Sequence, residues 1–395
     1  MSTRRLVLTR SAAVLGAAST GLLLPQFARA QSSKVRVGLM LPYTGTFAQL
    51  GVAIENGFRM AIDEKGGKLG GREIEWFKVD DESEPPKGVE NANKLVQRDK
   101  VDVLVGTVHS GVQMGIQRVA RESGVLSIIP NAGVHAATRA LCAPNVFRTS
   151  FSNSQPTRAL GKVMVDKGHK KTVWITWKYA AGDEAFEGFK EGYTAAGGTI
   201  VKELGLPFPN VEFQALLTEI AAIKPDAVAC FFAGGGAAKF MRDYAAAGLK
   251  DKIPLYGSGF LTEGVLDAAG AAADGVITTL HYSDSLDTPR NKAFRLEYAK
   301  RFKQQPDVYA VQGYDSGLLL MAGANAVKGD LSNKAALYKA MESARIDSPR
   351  GVWTMSKSHN PIQDIYLRRV ENKENKVIGV AAKALEDSGA GCKMA

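Results

Sequence analysis

Apolar residues follow two alternating spacings along most of this chain. They form a short β-rich run at residues 35–39, and at Ile54, Phe58 and Ile62 they recur at the spacing of one helical face. This exchange of strand-like and helix-like segments continues to residue 280. The predicted strands are residues 35–39, 74–79, 101–105, 125–129, 173–176, 227–232, 254–256 and 276–280, with another near Ile200. Such alternation predicts an α/β fold with parallel sheets covered by helices.

The alternating series occurs twice, so we expect two α/β lobes. Residues 151–156 and 280–289 are polar, end in proline and are the expected crossovers between the lobes. Later helical patterns at residues 294–302 and 308–327 precede short strands at residues 352–354 and 364–370.

The predicted lobes are each built from two parts of the chain. We predict a first lobe of residues 31–151 and 281–349 and a second lobe of residues 152–280 and 350–395, with the tail free to cross back. Open parallel sheets bind ligands at the carboxyl ends of their strands. A ligand site is therefore expected in the cleft between the lobes.

The first thirty residues have the features of an export signal. Arg4 and Arg5 begin a basic segment, an apolar stretch follows at residues 11–24, and Ala28 and Ala30 supply a small-x-small cleavage pattern before Gln31. The paired arginines resemble a twin-arginine signal, and an ordinary secretory signal stays equally open. No later apolar run reaches the ~18 residues needed to span a membrane.

Length, charge and composition remove several classes of protein. A chain of 395 residues is too long for one ordinary core. Its net charge of +10 falls to +6 once the four arginines of residues 1–30 leave, and the basic residues are dispersed, so we expect no nucleic-acid partner. Three cysteines without a C-x-x-C pair and five histidines without H-E-x-x-H predict no metal site.

Motifs of catalysis and of cofactor binding are missing. The sequence has no G-x-S-x-G elbow and no Walker loop. The Gly234-Gly235-Gly236 turn does not fit G-x-G-x-x-G, because Lys239 occupies the last position. Cys230 lies inside a predicted buried strand and is expected to be a small core residue. We therefore expect neither a cofactor nor enzymatic activity.

The loop between residues 106 and 111 offers a site for an anion. It joins a strand to a helix that begins near Gly111, where free N–H groups and the Ser110 hydroxyl can bind a carboxylate. Ser110 and Gln113 also have the spacing of a capping box, so the alternative that Ser110 only caps the helix stays equally open. The turn at residues 130–134 follows the next strand and would add backbone donors.

An ordered series of motifs resembles the periplasmic solute-binding proteins of the branched-chain amino-acid transporter family. The resemblance extends from about Lys34 to Lys383. Its motifs are residues 38–45, residues 48–51, Asn56-Gly57, Asp63, Gly66-Gly67, Asp80-Asp81, Pro86, residues 106–110, residues 130–134, Phe147-Arg148-Thr149, residues 179–182 and Ala247-Gly248-Leu249. The family implies a monomeric periplasmic protein that closes around a small ligand and presents it to an inner-membrane ABC permease.

The resemblance also implies ligand-binding positions. Ser110 and the backbone around Ala132, Gly133 and Val134 would grip a carboxylate. Leu50 falls where amino-acid binders have a large aromatic residue over the ligand. The second lobe would contribute Tyr179, Ala181, Gly234, Gly259 and Phe260.

Departures from the family pattern bear on the ligand. Gly259 occupies the position of the acidic residue that meets the ligand ammonium in amino-acid binders, and Ala233 or Gly234 replaces a tyrosine. Burying a ligand ammonium away from water without a carboxylate partner costs several kcal/mol. The resemblance therefore implies an aromatic acid of benzoate or phenylpropenoate type.

Several aromatic residues fall near the implied cleft and could stack on such a ring or simply fill the core: Trp177, Tyr179, Phe260 and Phe47. His109 would add a hydrogen bond or a positive charge beside the carboxylate, or lie on the rim. A branched-chain amino-acid binder is the alternative within the class. A ligand sensor of the same fold and an exported enzyme are the alternatives outside it.

The family often carries a disulfide near the first-lobe cleft, but its two positions correspond here to Ser83 and His109. We hypothesise that Cys142 and Cys392 pair instead and leave Cys230 free. Export would permit such a bridge.

Overall fold

The computed structural model describes residues 34–394, so the predicted export signal lies outside the described residues. The strands are β1 (Lys34–Leu41), β2 (Glu73–Asp80), β3 (Val103–Val105), β4 (Leu126–Ile129), β5 (Val146–Arg148), β6 (Lys171–Lys178), β7 (Thr199–Pro207), β8 (Ala227–Phe231), β9 (Leu255–Ser258), β10 (Ile277–Leu280), β11 (Arg345–Ser348), β12 (Gly351–Met355), β13 (Pro361–Glu371) and β14 (Glu374–Leu385).

The helices alternate with these strands over most of the chain. They are α1 (Ala48–Asp63), α2 (Pro85–Asn93), α3 (Ser110–Ser123), α4 (His135–Thr138), α5 (Ser154–Asp166), α6 (Ala180–Ala195), α7 (Gln214–Ile223), α8 (Gly234–Ala246), α9 (Leu266–Ala269), α10 (Pro289–Phe302), α11 (Val308–Ala326) and α12 (Lys334–Glu342). A 3-10 turn at Gly259–Leu261 follows β9.

Two sheets organise the described residues. The first has the order β2-β1-β3-β4-β5 and is parallel throughout. The second has the order β11-β12-β13-β10-β9-β8-β6-β7, with β14 paired to β13. Neighbouring strands among β7, β6, β8, β9 and β10 pair parallel. Strand β13 pairs antiparallel with β10, and β11 to β14 pair antiparallel with one another. The predicted α/β class with parallel sheets is confirmed.

Helices from distant parts of the chain pack on the first sheet. Helix α11 lies against α1, and two glycines permit the close approach. A Cβ on Gly57 would lie 1.9 Å from the carbonyl oxygen of Ala310, and a Cβ on Gly313 would lie 2.0 Å from that of Ile54. Strand β11 falls within residues 281–349, the range predicted for the first lobe, yet it pairs with β12 of the second sheet.

Arg350 joins the two sheets where the chain passes between them. Its guanidinium forms an ion pair with Asp315 of α11 at 2.8 Å, and both side chains are at most 1% exposed. Its Nη2 donates to the carbonyl oxygen of Thr149 at 2.7 Å and its Nη1 to that of Ser150 at 3.2 Å. Because a buried charge without partners is costly, these contacts fix the junction.

The C-terminal tail returns from β14 to the first lobe. Cys142 and Cys392 form a disulfide with a Cα–Cα distance of 5.5 Å, and Cys230 is free and buried in β8. Asp387 adds an ion pair to Arg139 at 2.8 Å.

The described residues contain neither a membrane-spanning helix nor a metal site. Within residues 34–394, no helix is long and apolar enough to cross a membrane. Over the same residues, no group of His, Cys, Asp and Glu side chains is arranged to hold a metal ion.

Loss of the disulfide is expected to destabilise the protein. The bridge joins residues 250 positions apart, and closing so long a loop restricts the unfolded chain. The double variant Cys142→Ser/Cys392→Ser should lose about 2–5 kcal/mol of the free energy of unfolding, measured by guanidinium denaturation. Reductant should destabilise the wild type and leave the double variant unchanged. Equal stability of the two proteins under oxidising conditions would contradict the prediction.

Candidate functional site

An enclosed cavity lies between the two sheets. Both lobes contribute to its lining, which consists of Phe47, Leu50, Val108, Ser110, Asn131, Gly133, Phe151, Asn153, Tyr179, Ala181, Phe231, Ala233, Phe260 and Tyr309. Its volume is about 20 Å³, which holds about one water molecule. A larger molecule can therefore enter only if the walls move apart.

A larger hollow elsewhere has a different character. A surface groove of about 760 Å³ runs beside Cys142 between α3 and residues 141–145. It is lined by the first lobe alone and lies away from the strand ends that face the cleft. The enclosed cavity is therefore the better candidate for a ligand site.

Three helices begin at the cavity. Helix α3 starts at Ser110, α6 starts just after Tyr179, and α8 starts just after Ala233, so that each directs first-turn N–H groups toward the cleft. In the described chain, the N–H groups of Ser110 and Gly133 have no acceptor. Helix N-termini favour negative charge, so the cavity suits an anion.

Ser110 faces the cavity and is not the cap of α3. The N-cap residue is His109, whose Nδ1 accepts from the N–H of Gly111 at 3.1 Å. The side-chain amide of Gln113 is buried without a partner in the described residues, so no capping box forms. The capping-box interpretation is therefore wrong, and the Ser110 hydroxyl accepts instead from Nδ2 of Asn153 at 3.3 Å.

The turn after β4 presents alternate residues to the cavity. Asn131 and Gly133 line it, whereas Ala132 and Val134 belong to the apolar core of the first lobe. The N–H of Ala132 donates to the carbonyl oxygen of Thr107 at 2.9 Å. The prediction that the Ala132 backbone grips a ligand does not match this geometry, because its N–H is engaged by Thr107. The predicted role of the Val134 backbone stays a prediction.

Three second-lobe residues of the predicted set line the cavity, namely Tyr179, Ala181 and Phe260. Gly234 lies behind the wall, where a Cβ would approach the Thr46 carbonyl oxygen at 3.0 Å. Gly259 does not reach the cavity. A Cβ there would lie 2.4 Å from Nη2 of Arg368 and from Cβ of Leu280, so an acidic side chain at this position would point into the core.

His109 lies beside the cavity as a neutral ring. It is 5% exposed, stacks on Tyr179 with centroids 5.1 Å apart, and burial lowers its pKa to about 4. Its Nδ1 accepts a hydrogen bond, which requires an unprotonated nitrogen. His109 therefore supplies no positive charge at neutral pH and acts through packing and the helix cap.

Glu184 of α6 bridges the two lobes behind Asn153. Its carboxylate accepts from Nδ2 of Asn153 at 2.7 Å and from the backbone N–H of His135 at 2.9 Å. Burial raises the pKa of Glu184 to about 7, against the opposing effect of these hydrogen bonds. Glu184 does not itself line the cavity.

Aromatic rings form most of the remaining wall. Phe151 lies 4.6 Å from Phe260 between ring centroids, and Phe47 lies 5.4 Å from Phe208. Trp177 is fully buried, and its Nε1 donates to the carbonyl oxygen of Asn210 at 2.7 Å, so it is a core residue and not a stacking partner for a ligand.

Sequence reasoning missed several lining residues. Phe151 and Asn153 line the cavity but lie in the crossover, whose sequence indicated a boundary between lobes and no ligand-binding residue. Tyr309 comes from α11, far along the chain, and no local motif marks it. Asn131 was within the predicted turn, and its polar side chain was the available signal. In the structure its amide donates to Oε1 of Gln312 at 2.7 Å.

Two α/β lobes with an enclosed cavity at the carboxyl ends of their strands define a two-lobed ligand-binding protein. Residues 34–375 match the family described as periplasmic binding protein, and the chain belongs to that family. It is a substrate-binding protein of the ABC transporter type, a periplasmic transport component and not an enzyme.

Relatives and solved structures agree with this assignment. A "Leu/Ile/Val-binding protein homolog 6" from Brucella abortus (strain 2308) is 30% identical over 88% of this chain and 90% of its own. A solute-binding protein of an ABC transporter from R. palustris, in complex with benzoate, is 53% identical, with a TM-score of 0.89 over 91% of this chain and 99% of its own. A solute-binding protein of an ABC transporter from Rhodopseudomonas palustris BisB5, in complex with 3,4-dihydroxy benzoic acid, is 32% identical. Its TM-score is 0.86 over 90% of this chain and 99% of its own.

Neutral, buried His109 is expected to make stability depend on pH. Its pKa of about 4 in the folded state lies below the unfolded value of 6.5, so its contribution is complete above pH 6.5 and is lost as the pH falls toward 4. Between pH 7 and pH 5 the ligand-free wild type should lose about 2 kcal/mol more free energy of unfolding than His109→Gln. Denaturant titrations at both pH values measure this difference. An identical pH dependence of the two proteins would refute it.

Proposed function

We propose that this protein binds a small aromatic carboxylate and delivers it to an inner-membrane ABC permease. The observation that carries the proposal is a cavity with aromatic walls and unpartnered backbone N–H groups, lined in the described chain by no Asp, Glu, Lys or Arg. The complexes of similar proteins with benzoate and 3,4-dihydroxy benzoic acid support it.

The ligand carboxylate would bind at the start of α3. The N–H groups of Ser110 and Gly133 and the Ser110 hydroxyl are the donors, and the helix dipole favours the negative charge. Hydrogen bonds to a charged acceptor are stronger than neutral ones, which compensates for the loss of water around the carboxylate. His109 would contribute no charge to this interaction.

An amino acid fits the cavity less well than an acid without an amine. The nearby carboxylate of Glu184 is engaged by Asn153 and by the His135 N–H. An ammonium would therefore enter a dry cavity without a negative partner, at a cost of several kcal/mol. The names of the curated relatives keep a branched-chain amino acid as the second candidate.

The affinity required is within reach of a small ring. A micromolar dissociation constant corresponds to about −8 kcal/mol. For a benzoate-sized molecule of roughly ten heavy atoms this is about −0.8 kcal/mol per atom, below the ceiling for small ligands. Because only the closed form contacts the ligand with both lobes, binding would favour closure.

The proposal includes the organisation of the whole chain. Residues 1–30 would be an export signal cut before Gln31. The lobes would be residues 31–151 with 281–349 and residues 152–280 with 350–395, and β11 would join the second of these. The mature protein would act as a monomer.

Ligand binding by the mature protein is the direct test. Isothermal titration with benzoate, para-hydroxybenzoate, a cinnamate-type acid, leucine and valine should give micromolar or tighter binding for at least one aromatic acid. Leucine and valine should bind at least a hundredfold more weakly, because an unpaired ammonium is costly. Benzylamine serves as the control for a ring without a carboxylate. Binding of leucine alone would overturn the aromatic-acid proposal.

Gly133 offers a matched pair of variants with Gly235. A Cβ at residue 133 would lie 2.2 Å from Oδ1 of Asn153 and 2.8 Å from Cε2 of Phe151, whereas a Cβ on exposed Gly235 meets no atom of the described residues within 4 Å. Gly133→Ala should therefore weaken binding of benzoate at least tenfold, and Gly235→Ala should change it less than twofold. Circular dichroism checks that both variants fold. If Gly133→Ala and Gly235→Ala bind benzoate with equal affinity, the ligand does not bind at Gly133.

A further inference from the structure

Tyr309 places an unpartnered hydroxyl in the wall of the cavity. It lies in the first turn of α11, lines the cavity and is 1% exposed. Its hydroxyl has no hydrogen-bond partner in the described part of the chain. A buried hydroxyl without a partner costs about 1–3 kcal/mol, so its position calls for an explanation.

Some other buried tyrosine hydroxyls are satisfied within the protein, whereas others, such as that of Tyr338, have no partner in the described residues. The Tyr244 hydroxyl donates to the carbonyl oxygen of Ile253 at 2.9 Å, and the Tyr282 hydroxyl donates to Oδ1 of Asn291 at 3.0 Å. Both of these groups are satisfied within the protein. The hydroxyl of Tyr309 differs because it borders a cavity where another molecule can supply the partner.

Aromatic rings separate this hydroxyl from the proposed carboxylate site. Contacts along the wall run from Gly133 to Phe151, from Phe151 to Phe260 with centroids 4.6 Å apart, and from Phe260 to Tyr309 with centroids 6.1 Å apart. The groups at Ser110 and Gly133 and the hydroxyl of Tyr309 are therefore two polar parts of the lining that are linked along the wall by apolar rings. A benzoate held at Ser110 and Gly133 would satisfy only one of the two.

We propose that Tyr309 determines specificity by forming a hydrogen bond with a ring hydroxyl, so that the preferred ligand is a hydroxybenzoate. This inference rests on the proposed aromatic-acid function. A hydroxyl suits the position because it can both donate to and accept from Tyr309. A second carboxylate does not suit it, because no Lys or Arg of the described residues lines the cavity to balance the charge.

The test compares benzoate with its three monohydroxy derivatives by isothermal titration on the mature protein. At least one of 2-, 3- and 4-hydroxybenzoate should bind the wild type about tenfold more tightly than benzoate. In Tyr309→Phe that advantage should fall to twofold or less, while the affinity for benzoate changes less than threefold.

Tyr338→Phe is the matched control. The Tyr338 hydroxyl is also buried without a partner in the described residues, but Tyr338 lies outside the cavity, with its ring 5.8 Å from that of Phe147. This variant should keep the preference for the hydroxybenzoate.

Three results would overturn the inference and leave the proposed function standing. In the first, the wild type binds benzoate as tightly as, or more tightly than, every hydroxybenzoate. In the second, Tyr309→Phe keeps the wild-type preference for the hydroxybenzoate. In the third, Tyr309→Phe loses affinity for benzoate and for the hydroxybenzoate by the same factor. The last result would place the carboxylate itself at Tyr309. Failure of benzoate and of all three derivatives to bind would instead refute the proposed function.

Discussion

The site depends on backbone N–H groups that have no partner at the starts of helices. Parallel strands of both sheets end at the cleft, so α3, α6 and α8 begin there and direct the positive ends of their dipoles toward one cavity. Because no Asp, Glu, Lys or Arg of the described chain lines that cavity, these N–H groups are its main source of positive potential. Under the proposed function, the fold would provide an anion site without a cationic side chain, and the lining residues would set the shape and polarity of the ligand.

The connections between the lobes fit a protein that opens and closes. Arg350 binds the carbonyl oxygens of Thr149 and Ser150 in the crossover and pairs with Asp315, so these contacts hold the junction together. Glu184 makes the opposite kind of contact, because it reaches from the second lobe to the backbone N–H of residue 135 in the first, and it also binds Asn153. Under the proposed function, the first set of contacts would act as a hinge and the second as a latch of the closed form. A cavity of about 20 Å³ is consistent with walls that part before a ligand enters.

Sequence reasoning succeeded where the pattern is local and repeated. Apolar strands and one-sided helices gave the α/β class, and ordered motifs gave the family. It missed β14 because only polar Asn375 of this outer strand is buried, so no buried apolar alternation marks it, and it missed β5 because three residues are too few for a periodic signal. These failures concern elements whose pattern is weak or whose partners lie far along the chain.

The site was predicted less completely, for reasons of geometry. Ser110 and Leu50, which the sequence pointed to, line the cavity, but which residues of a turn face inward depends on its backbone, so Ala132 was chosen in place of Asn131. Gly259 was matched by its position in the sequence to the acidic residue of the amino-acid binders. Only the structure shows that Arg368 occupies the space into which a side chain at this position would point. Tyr309 could not be found, because packing of α11 on α1 brings it to the cavity.

A crystal structure of the mature protein soaked or grown with benzoate would test the central claim most directly. The account predicts a single benzoate between the lobes, with its carboxylate within hydrogen-bond distance of the N–H groups of Ser110 and Gly133 and its ring against Phe151 and Phe260. A benzoate bound outside the cleft, or one whose carboxylate pairs with a lysine or arginine side chain, would contradict it.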